Sequence, residues 1–338
     1  ADVLALALHQ NDAGGYVHLN ARTWSRGTAE IGVDTRFSSR TSTFRQFHFT
    51  STGNVPEGFL EQDANVILDP SNIQMGGPMG LNETTQASNN YVGTSRWFGA
   101  YLTTDTHLTD WLRLIGGVRM ESMYRAVDIE SPVQGIQPLD GGTKPHVGRD
   151  SIDFLPAVSL VASPNDRMNV RLSYGATLVH PQFREFAPTV YYDFARRRNI
   201  SGNPDLVRTR IQNLDLRWEW LQGESGLFAI SAFYKHFDSP IERVNVAGRG
   251  TFDLRFENAA GGFNVGTEIE ARFNFGQWGE DSNWLDWFSF NGNLALVYSR
   301  VQLTDKQAQS QASSSRAMFL QSPYVANLSL GFDHPDAG

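Results

Sequence analysis

The sequence predicts an all-β fold, an antiparallel up-and-down transmembrane β-barrel of which this chain supplies a part. Three features of the 338-residue chain lead to this prediction. Its strand-like segments are longer than the five or six residues typical of soluble domains. Apolar and charged side chains alternate along these segments, and the connections between the segments are alternately long and short.

The alternation is clearest between Ile211 and Leu221. Apolar residues occupy one set of alternate positions and polar or charged residues the other: Leu214, Leu216, Trp218 and Trp220 against Asn213, Asp215, Arg217 and Glu219. A period of two indicates a strand with one apolar and one charged face. A polar turn at 222–226 then reverses the chain into a second arm. Each arm has the roughly 9 to 11 residues that a tilted strand needs to cross a bilayer.

The same criteria predict about twelve strands along the chain. Alternation recurs in most of them, for example between Met168 and Leu178 and between Phe263 and Phe275. The predicted strands span residues 3–10, 16–24, 28–49, 96–107, 111–129, 151–163, 167–178, 210–222, 226–242, 262–276, 286–302 and 318–332.

The connections between these strands fall into two classes. Short turns at 25–27, 107–110, 163–166 and 222–226 interleave with long loops at 50–95, 130–150, 179–209, 243–261 and 303–317. All long loops therefore lie at one end of the strands, as in outer-membrane barrels. In a soluble sheet the charged faces would simply be solvated, and nothing would sort the loops in this way.

Composition excludes several kinds of site and partner. The chain has no cysteine, which excludes disulfides and thiolate metal sites, and its net charge of −8 argues against nucleic acid as a partner. We expect no cofactor and no metal site. The absence of a run of about 18 apolar residues excludes helical membrane spans but not barrel strands. With no leader at its start and no closing strand at its end, we expect 1–338 to be one partial barrel domain of a longer protein.

Several short motifs resemble the barrel region of TonB-dependent outer-membrane receptors. They occur in order between residues 171 and 270, and their matching residues are Pro181, Phe183, Arg184 and Glu185, then Gly202, Asn203, Pro204 and Leu206, then Phe233, Tyr234 and Lys235, then Asn258, Gly266 and Glu268. His180 stands where the family usually has Arg. The hairpin from Trp97 onward is similar to the same family, so the resemblance covers most of the chain.

This resemblance implies a barrel of roughly twenty-two strands around a plug domain, of which about twelve are present here. It implies a Gram-negative cell outer membrane as the location, with outer-membrane lipid and lipopolysaccharide as surroundings. In the full-length protein the plug domain and TonB would be partners. The ligand would be a scarce small molecule or oligosaccharide, and a siderophore, a cobalamin and an oligosaccharide are all compatible with the loops.

The loop at 179–209 contains the candidate ligand-binding residues, because tyrosine rings stack on sugars or aromatic chelators and arginine binds carboxylate or phosphate. These candidates are His180, Arg184, Tyr191, Tyr192, Asp193, Arg196, Arg197 and Arg198. Alternatively, Pro181, Phe183 and Pro188 only shape the loop and the arginines contact lipopolysaccharide phosphates. Charged residues of the later strands are expected to face the lumen: Asp215, Arg217, Glu219, Glu268, Glu270 and Arg272.

No catalytic residues are predicted, because the sequence lacks G-x-S-x-G, H-E-x-x-H and P-loop motifs. We therefore expect a transporter rather than an enzyme. Three alternatives stay open: a passive outer-membrane porin, a barrel hydrolase with a few loop-end Ser, His and Asp residues, and a soluble carbohydrate-binding β protein.

Overall fold

The computed structural model describes residues 2–53, 55–73, 76–85, 89–129, 146–193, 198–223, 226–246, 253–278, 284–311 and 313–333. Most of this part of the chain forms one 13-stranded sheet. Its strands are β1 (Asp2–Trp24), β2 (Gly27–Ser51), β3 (Met79–Glu83), β4 (Tyr91–His107), β5 (Leu112–Ile129), β6 (His146–Asn165), β7 (Met168–Val179), β10 (Thr209–Gln222), β11 (Gly226–Asp238), β14 (Gly261–Asn274), β15 (Phe288–Gln302), β16 (Ser315–Arg316) and β17 (Tyr324–Phe332).

The long strands of this sheet form a continuous antiparallel meander, in the order β1-β2-β4-β5-β6-β7-β10-β11-β14-β15, with β17 also paired to β15. Each long strand thus pairs with the next long strand along the chain, which confirms the predicted up-and-down topology. The register places Leu214 of β10 between Tyr174 of β7 and Tyr234 of β11. The long and short connections alternate as the sequence indicated.

Three strand predictions were wrong in part. The predicted strand 226–242 ends at Asp238, and the predicted strand 318–332 begins at Tyr324. Residues 3–10 and 16–24 belong to a single strand, β1, so the described part of the chain has eleven strands of nine or more residues rather than about twelve. The Asn11–Gly15 stretch resembles a turn in sequence, but it pairs continuously with Thr35–Ser39 of β2. Gly14 fits because a Cβ there would lie 2.7 Å from the Thr35 carbonyl oxygen. The close approach of β2 therefore requires glycine at a position that looked like a break.

The sheet has two chemically different faces. On the face that we call outer, Leu214 and Leu216 are 47% and 49% exposed, and Trp218 and Trp220 share this face by the alternation of the strand. Exposed apolar residues continue across the other strands, including Ile31, Val33, Leu102, Phe154, Leu172, Ile230, Val265 and Leu296. The opposite, inner face carries the charged residues. This separation matches a wall with lipid on one side and a polar lumen on the other.

The long loops contain more structure than the sequence indicated. Strands β8 (Val190–Asp193), β9 (Arg198–Ser201), β12 (Ile241–Val246) and β13 (Asp253–Asn258) form a second sheet, in the order β12-β13-β9-β8. We call this sheet the mouth layer. It joins the loop after β7 to the loop after β11, with β13 and β9 parallel. Short helical turns lie at Phe59–Glu61, Ala64–Ile67, Pro70–Asn72, Phe183–Phe186, Phe275–Trp278, Leu285–Trp287 and Asp305–Ala308.

Strands β1 and β17 are the edges of the main sheet. Among the described residues, β1 pairs only with β2 and β17 only with β15. In the described part of the chain, no helix has the length and apolar character needed to span a membrane.

Candidate functional site

The loop after β7 folds back onto the inner face of the sheet. Its helical turn, Phe183–Phe186, buries Phe183 and Phe186 against Tyr91, Val127 and Ile129 of β4 and β5. Glu185 closes the turn by accepting a hydrogen bond from the Gln182 N–H at 2.9 Å. We call residues 180–189 the inward segment. The Pro-x-Phe-Arg-Glu motif therefore shapes and anchors the loop.

Phe183 is held by groups from three strands. The guanidinium of Arg40 in β2 lies 5.5 Å from its ring centroid, and that of Arg125 in β5 lies 5.1 Å from it. In β4, a Cβ at Gly93 would come within 2.6 Å of the ring, so only glycine leaves room for it. The two cation–π contacts fix both arginines relative to the inward segment.

A cavity of about 680 Å³ separates the inward segment from the inner face of β1, β2, β4 and β5. Its charged side chains are Arg36, Arg40 and Arg125 against a single carboxylate, Asp12. We call it the arginine cavity, and its lining is Gln10, Asp12, Arg36, Ser38, Arg40, Ser95, Trp97, Met123, Arg125, His180, Gln182 and Phe183. The arrangement offers several hydrogen-bond donors and an aromatic wall to a guest of small-molecule size.

Two of the charged groups in the arginine cavity already have partners within the protein. Arg40 donates to the side-chain oxygen of Gln10, and Gln10 donates to Asp12 at 2.8 Å. By contrast, the Arg125 Nε is buried without a hydrogen-bond partner among the described residues, and Arg36 is exposed at the edge of the cavity. The cavity therefore has a surplus of open positive donors.

A smaller cavity, of about 210 Å³, adjoins the first and shares Arg40 and Gln182 with it. Arg184 and Tyr191 line this second cavity, and the Arg184 guanidinium lies 3.4 Å from the centre of the Tyr191 ring. Burial raises the pKa of the Tyr191 hydroxyl above its usual value. Tyr191 therefore stays protonated at neutral pH and is available as a donor.

His180 lies at the start of the inward segment and lines the arginine cavity. Its Nε2 is buried without a hydrogen-bond partner among the described residues. Burial, reinforced by the charge of Arg125, lowers the pKa of its imidazole. His180 therefore adds a neutral ring with one open nitrogen to the cavity.

A buried ion pair fastens the far end of the same loop. Arg208 contacts Asp153 of β6 at 2.5 Å, and the Asp153 side chain is only 1% exposed. Arg210 lies 3.8 Å from the same carboxylate. The loop after β7 is thus attached to the wall at both ends, by Phe183 and by Arg208.

The predicted ligand-binding residues separate into three groups. His180 lines the arginine cavity, and Arg184 and Tyr191 line the adjoining one. Asp193 and Arg198 lie opposite each other at the end of the β8–β9 pair. Tyr192 belongs to β8, but its side chain lies outside what the structure describes, as do Arg196 and Arg197 entirely.

The predicted lumen residues share the inner face. Arg217 contacts Glu219 at 2.7 Å and Glu270 at 2.8 Å, and Arg272 lies 3.5 Å from Glu270. By the alternation of their strands, Asp215 and Glu268 also point to this face. A second network, on β4 and β5 with β2, links Arg119 to Asp34 at 2.8 Å and to Glu121 at 2.7 Å.

Sequence reasoning missed Asp12, Arg36, Arg40 and Arg125, which line the arginine cavity. The alternation could have placed Arg36, Ser38 and Arg40 on one inner face, since they occupy every second position of β2. Nothing in the sequence indicated that a loop about 140 residues later would cover them. Within the described residues, no group of three or more His, Asp or Glu side chains is placed to hold a metal ion.

A wide antiparallel meander with an apolar outer face, a charged inner face and long loops at one end defines the wall of an outer-membrane-type β-barrel. Residues 4–338 match the family described as TonB dependent receptor-like, beta-barrel, and the chain belongs to that family. The family consists of receptors and transporters rather than enzymes.

Solved structures show the same fold. The chain is similar to the copper transporter OprC (15% identity, TM-score 0.62), with 98% of this chain aligned to 42% of that one. It is also similar to the ferric-catecholate import receptor Fiu from E. coli K12, at 14% identity and a TM-score of 0.59, with 97% of this chain aligned to 43% of that one. A third similar structure is the ferric yersiniabactin uptake receptor FyuA from Yersinia pestis, at 14% identity and a TM-score of 0.57, with 97% of this chain aligned to 40% of that one. The chain thus spans less than half the length of these structures. No curated protein sequence matches it.

Proposed function

We propose that this chain is part of the wall of a TonB-dependent receptor that takes up a scarce ligand across the outer membrane of a Gram-negative cell. Membership of the receptor family over residues 4–338 is the observation that carries this proposal. In the full-length protein, a plug domain would fill the lumen and TonB would act on it from the inside. Outer-membrane lipid and lipopolysaccharide would cover the outer face.

The ligand would enter from the long-loop end and meet the inward segment. His180, Arg184 and Tyr191 line the two adjoining cavities there, which supports a role for them in ligand contact. Tyr192, Asp193, Arg196, Arg197 and Arg198 stay candidates at the same loop. A siderophore, a cobalamin and an oligosaccharide are the ligand classes that we propose to test.

Two of the similar structures are named for ferric chelates and one for copper. Those ligands belong to those proteins, but they support a panel weighted toward metal chelates. The arginine cavity has a volume of about 680 Å³, which is within the range of pockets that bind small molecules such as metal chelates.

The test is uptake by cells that express the full-length protein. Radiolabelled ferric citrate, cyanocobalamin and maltohexaose would be offered to cells with and without a functional TonB complex. We expect one probe to accumulate only in cells that have both the receptor and TonB. Equal accumulation without TonB would indicate a passive pore, and accumulation of none of the three probes would contradict the proposed ligand classes.

A further inference from the structure

We infer that the connection between β14 and β15 is a membrane-binding element, whose tryptophan rings lie among zwitterionic phospholipid headgroups on the inner side of the outer membrane. The residues that carry this inference are 275–278 and 284–287, which we call the aromatic turn. The inference goes beyond the proposed function, from which it takes only the membrane location of the wall. The other connections at this end of the sheet are tight turns, at 25–26, 108–111, 166–167 and 223–225.

The aromatic turn is held to the strands on both sides of it. The side-chain amide of Asn274 donates to the Asp286 carbonyl oxygen at 2.8 Å, and its side-chain oxygen accepts from the Gly276 N–H at 2.8 Å. Residue 276 must be glycine, because a Cβ there would collide with the Asp286 carboxylate. The Asp333 N–H donates to the Trp287 carbonyl oxygen at 2.8 Å, which fastens the turn to the end of β17. These contacts fix the direction in which the aromatic rings point.

The rings of the aromatic turn continue the apolar outer face of the sheet. The ring centroid of Trp284 lies 6.1 Å from that of Phe288, and the centroid of Trp287 lies 6.2 Å from that of Phe332. Phe288 and Phe332 pair across β15 and β17 on the outer face, with their centroids 5.1 Å apart. Trp284 is itself 56% exposed. The rings therefore lie on the lipid side of the wall rather than the lumen side, and a lipid surface is the partner that they fit.

The height of these rings matches one boundary of the bilayer. A second row of rings crosses the outer face near the long loops, where the centroid of Phe263 lies 6.2 Å from that of Tyr234 and 6.0 Å from that of Tyr298. Tyr298 and Phe288 lie on the same strand, so a rise of about 3.4 Å per residue and a tilt of about 40° place the two rows about 25 Å apart. The apolar band of an outer-membrane barrel has about this height, and its short turns lie on the periplasmic side. The aromatic turn is therefore level with the lipid headgroups on that side.

The charges near the aromatic turn select the kind of headgroup. Between Phe273 and Ser299 the sequence has acidic residues but no Lys or Arg, and Asp286 of the turn is exposed. By contrast, the turn between β6 and β7 carries the exposed Arg167. An ammonium group is attracted to the face of a tryptophan ring and to a carboxylate, whereas an anionic headgroup meets no cation in this stretch of sequence. A phosphoethanolamine headgroup therefore fits the aromatic turn better than a phosphoglycerol headgroup.

The experiment places a fluorophore on Leu285→Cys of the full-length receptor in phosphatidylcholine vesicles. The 338-residue chain has no cysteine of its own, and any cysteine in the rest of the protein is replaced by serine. A small fraction of phosphatidylethanolamine or of phosphatidylglycerol carries a nitroxide quencher on its acyl chain, either near the headgroup or near the chain end. We expect the quencher near the headgroup to act more strongly than the one near the chain end. We also expect phosphatidylethanolamine to be enriched about two- to fivefold over phosphatidylglycerol beside the fluorophore.

Two variants of the aromatic turn test the cause of this preference. Trp284→Leu should bring the ratio of the two lipids close to one, because it removes an exposed aromatic ring. Asp286→Lys should invert the preference, because lysine attracts the phosphoglycerol headgroup. This second variant keeps both tryptophan rings, so it decides the test if Trp284→Leu fails to fold. A fluorophore on Asp166→Cys, beside Arg167, is the matched control and should show no preference for phosphatidylethanolamine.

Equal quenching by the two lipids at residue 285, or stronger quenching by phosphatidylglycerol, would overturn the inference. Weak quenching by both lipids would also overturn it, since the aromatic turn would then lie in water or against a periplasmic protein. Quenching in vesicles needs no TonB. A preference for phosphatidylethanolamine without TonB-dependent uptake would therefore count against the proposed function alone, and TonB-dependent uptake without this preference against the inference alone.

Discussion

Asp153 shows how a single charged residue on the inner face can govern the position of a loop. Its carboxylate is almost fully buried and is compensated by Arg208 at 2.5 Å and, more weakly, by Arg210 at 3.8 Å. Removing one partner of a buried pair leaves the other charge without compensation. The sequence marked Asp153 only as a residue of a predicted strand, because its partner lies 55 residues away.

We expect Asp153→Asn to destabilise the full-length protein by about 1.5 to 3 kcal/mol, because the half-buried Arg208 would lose its charge-assisted contact with a buried carboxylate. Thermal or urea unfolding in detergent would measure the change. Asp205→Asn is the matched control, since Asp205 meets Arg149 at 3.5 Å in a largely exposed pair. Such a pair contributes about 1 kcal/mol or less. If both variants lost the same free energy of unfolding, burial of the Asp153 carboxylate would not explain the effect.

His180 predicts a pH dependence of the inward segment. Burial and Arg125 hold the pKa of its imidazole below the usual 6.5, so the unfolded chain takes up this proton first as the pH falls. Neutral His180 therefore makes its full contribution to the stability of the folded state above about pH 6.5. This contribution is lost as the pH falls through the lower pKa that His180 has in the folded state.

Hydrogen exchange of residues 180–189, measured from pH 7.5 to pH 5, should show faster exchange of the inward segment at the acidic end after correction for intrinsic rates. His180→Gln should flatten this profile, because glutamine does not titrate. His236→Gln, on a much more exposed histidine, is the control and should keep the wild-type profile. If the exchange rates of His180→Gln depended on pH as those of the wild type do, groups other than His180 would cause the pH dependence.

The mouth layer shows that the long loops act as one element. Glu242 of β12 is buried and lies 2.8 Å from Arg316, and it accepts a hydrogen bond from the Phe319 N–H at 3.2 Å. Arg243 lies between the rings of Phe256 and Phe319, at 5.1 and 4.8 Å. These contacts join the loop after β15 to the sheet formed by the two preceding long loops. The sequence predicted three separate loops because each of these contacts bridges distant segments.

We expect Glu242→Ala to release the segment 315–323 from the mouth layer. Hydrogen exchange of this segment should rise by about tenfold or more, since the loss of a buried charged partner is worth at least 1.4 kcal/mol. Exchange in β10 and β11 should stay at the wild-type rate, because the main sheet does not depend on Glu242. Asp305→Asn, on an exposed carboxylate of the same loop, is the control. Uniform faster exchange over the whole chain would instead indicate general destabilisation.

On the scale of the whole molecule, the two faces of the sheet require opposite surroundings. The outer face exposes leucine, valine and aromatic side chains across nearly every long strand, whereas ion pairs cover the inner face. Such a wall is stable only where lipid covers the first face and polar groups the second.

We expect Leu216→Lys to lower the stability of the full-length protein in lipid by about 2 to 4 kcal/mol, the usual cost of lysine on the lipid face near the bilayer midplane. Ser173→Lys is the matched inner-face variant. Ser173 lies opposite Asp215, which would balance the added charge, so we expect a much smaller loss. Reversible unfolding into urea from lipid vesicles would measure both changes. A larger loss for Ser173→Lys would reverse our assignment of the two faces.

The sequence alone determined most of the long strands, their faces, the order of pairing, the sorting of long and short connections and the family. These properties follow from local rules: a pleated strand alternates its side chains with a period of two, and a short turn forces its two strands to pair. Only the tertiary structure decided that Asn11–Gly15 continues β1, that Phe183 turns the loop after β7 inward, and that the later loops join into one layer. It also decided that Arg36 and Arg125 line one cavity. Each of these depends on side chains that are distant in sequence, and the packing energy that selects among loop conformations appears only when those side chains meet.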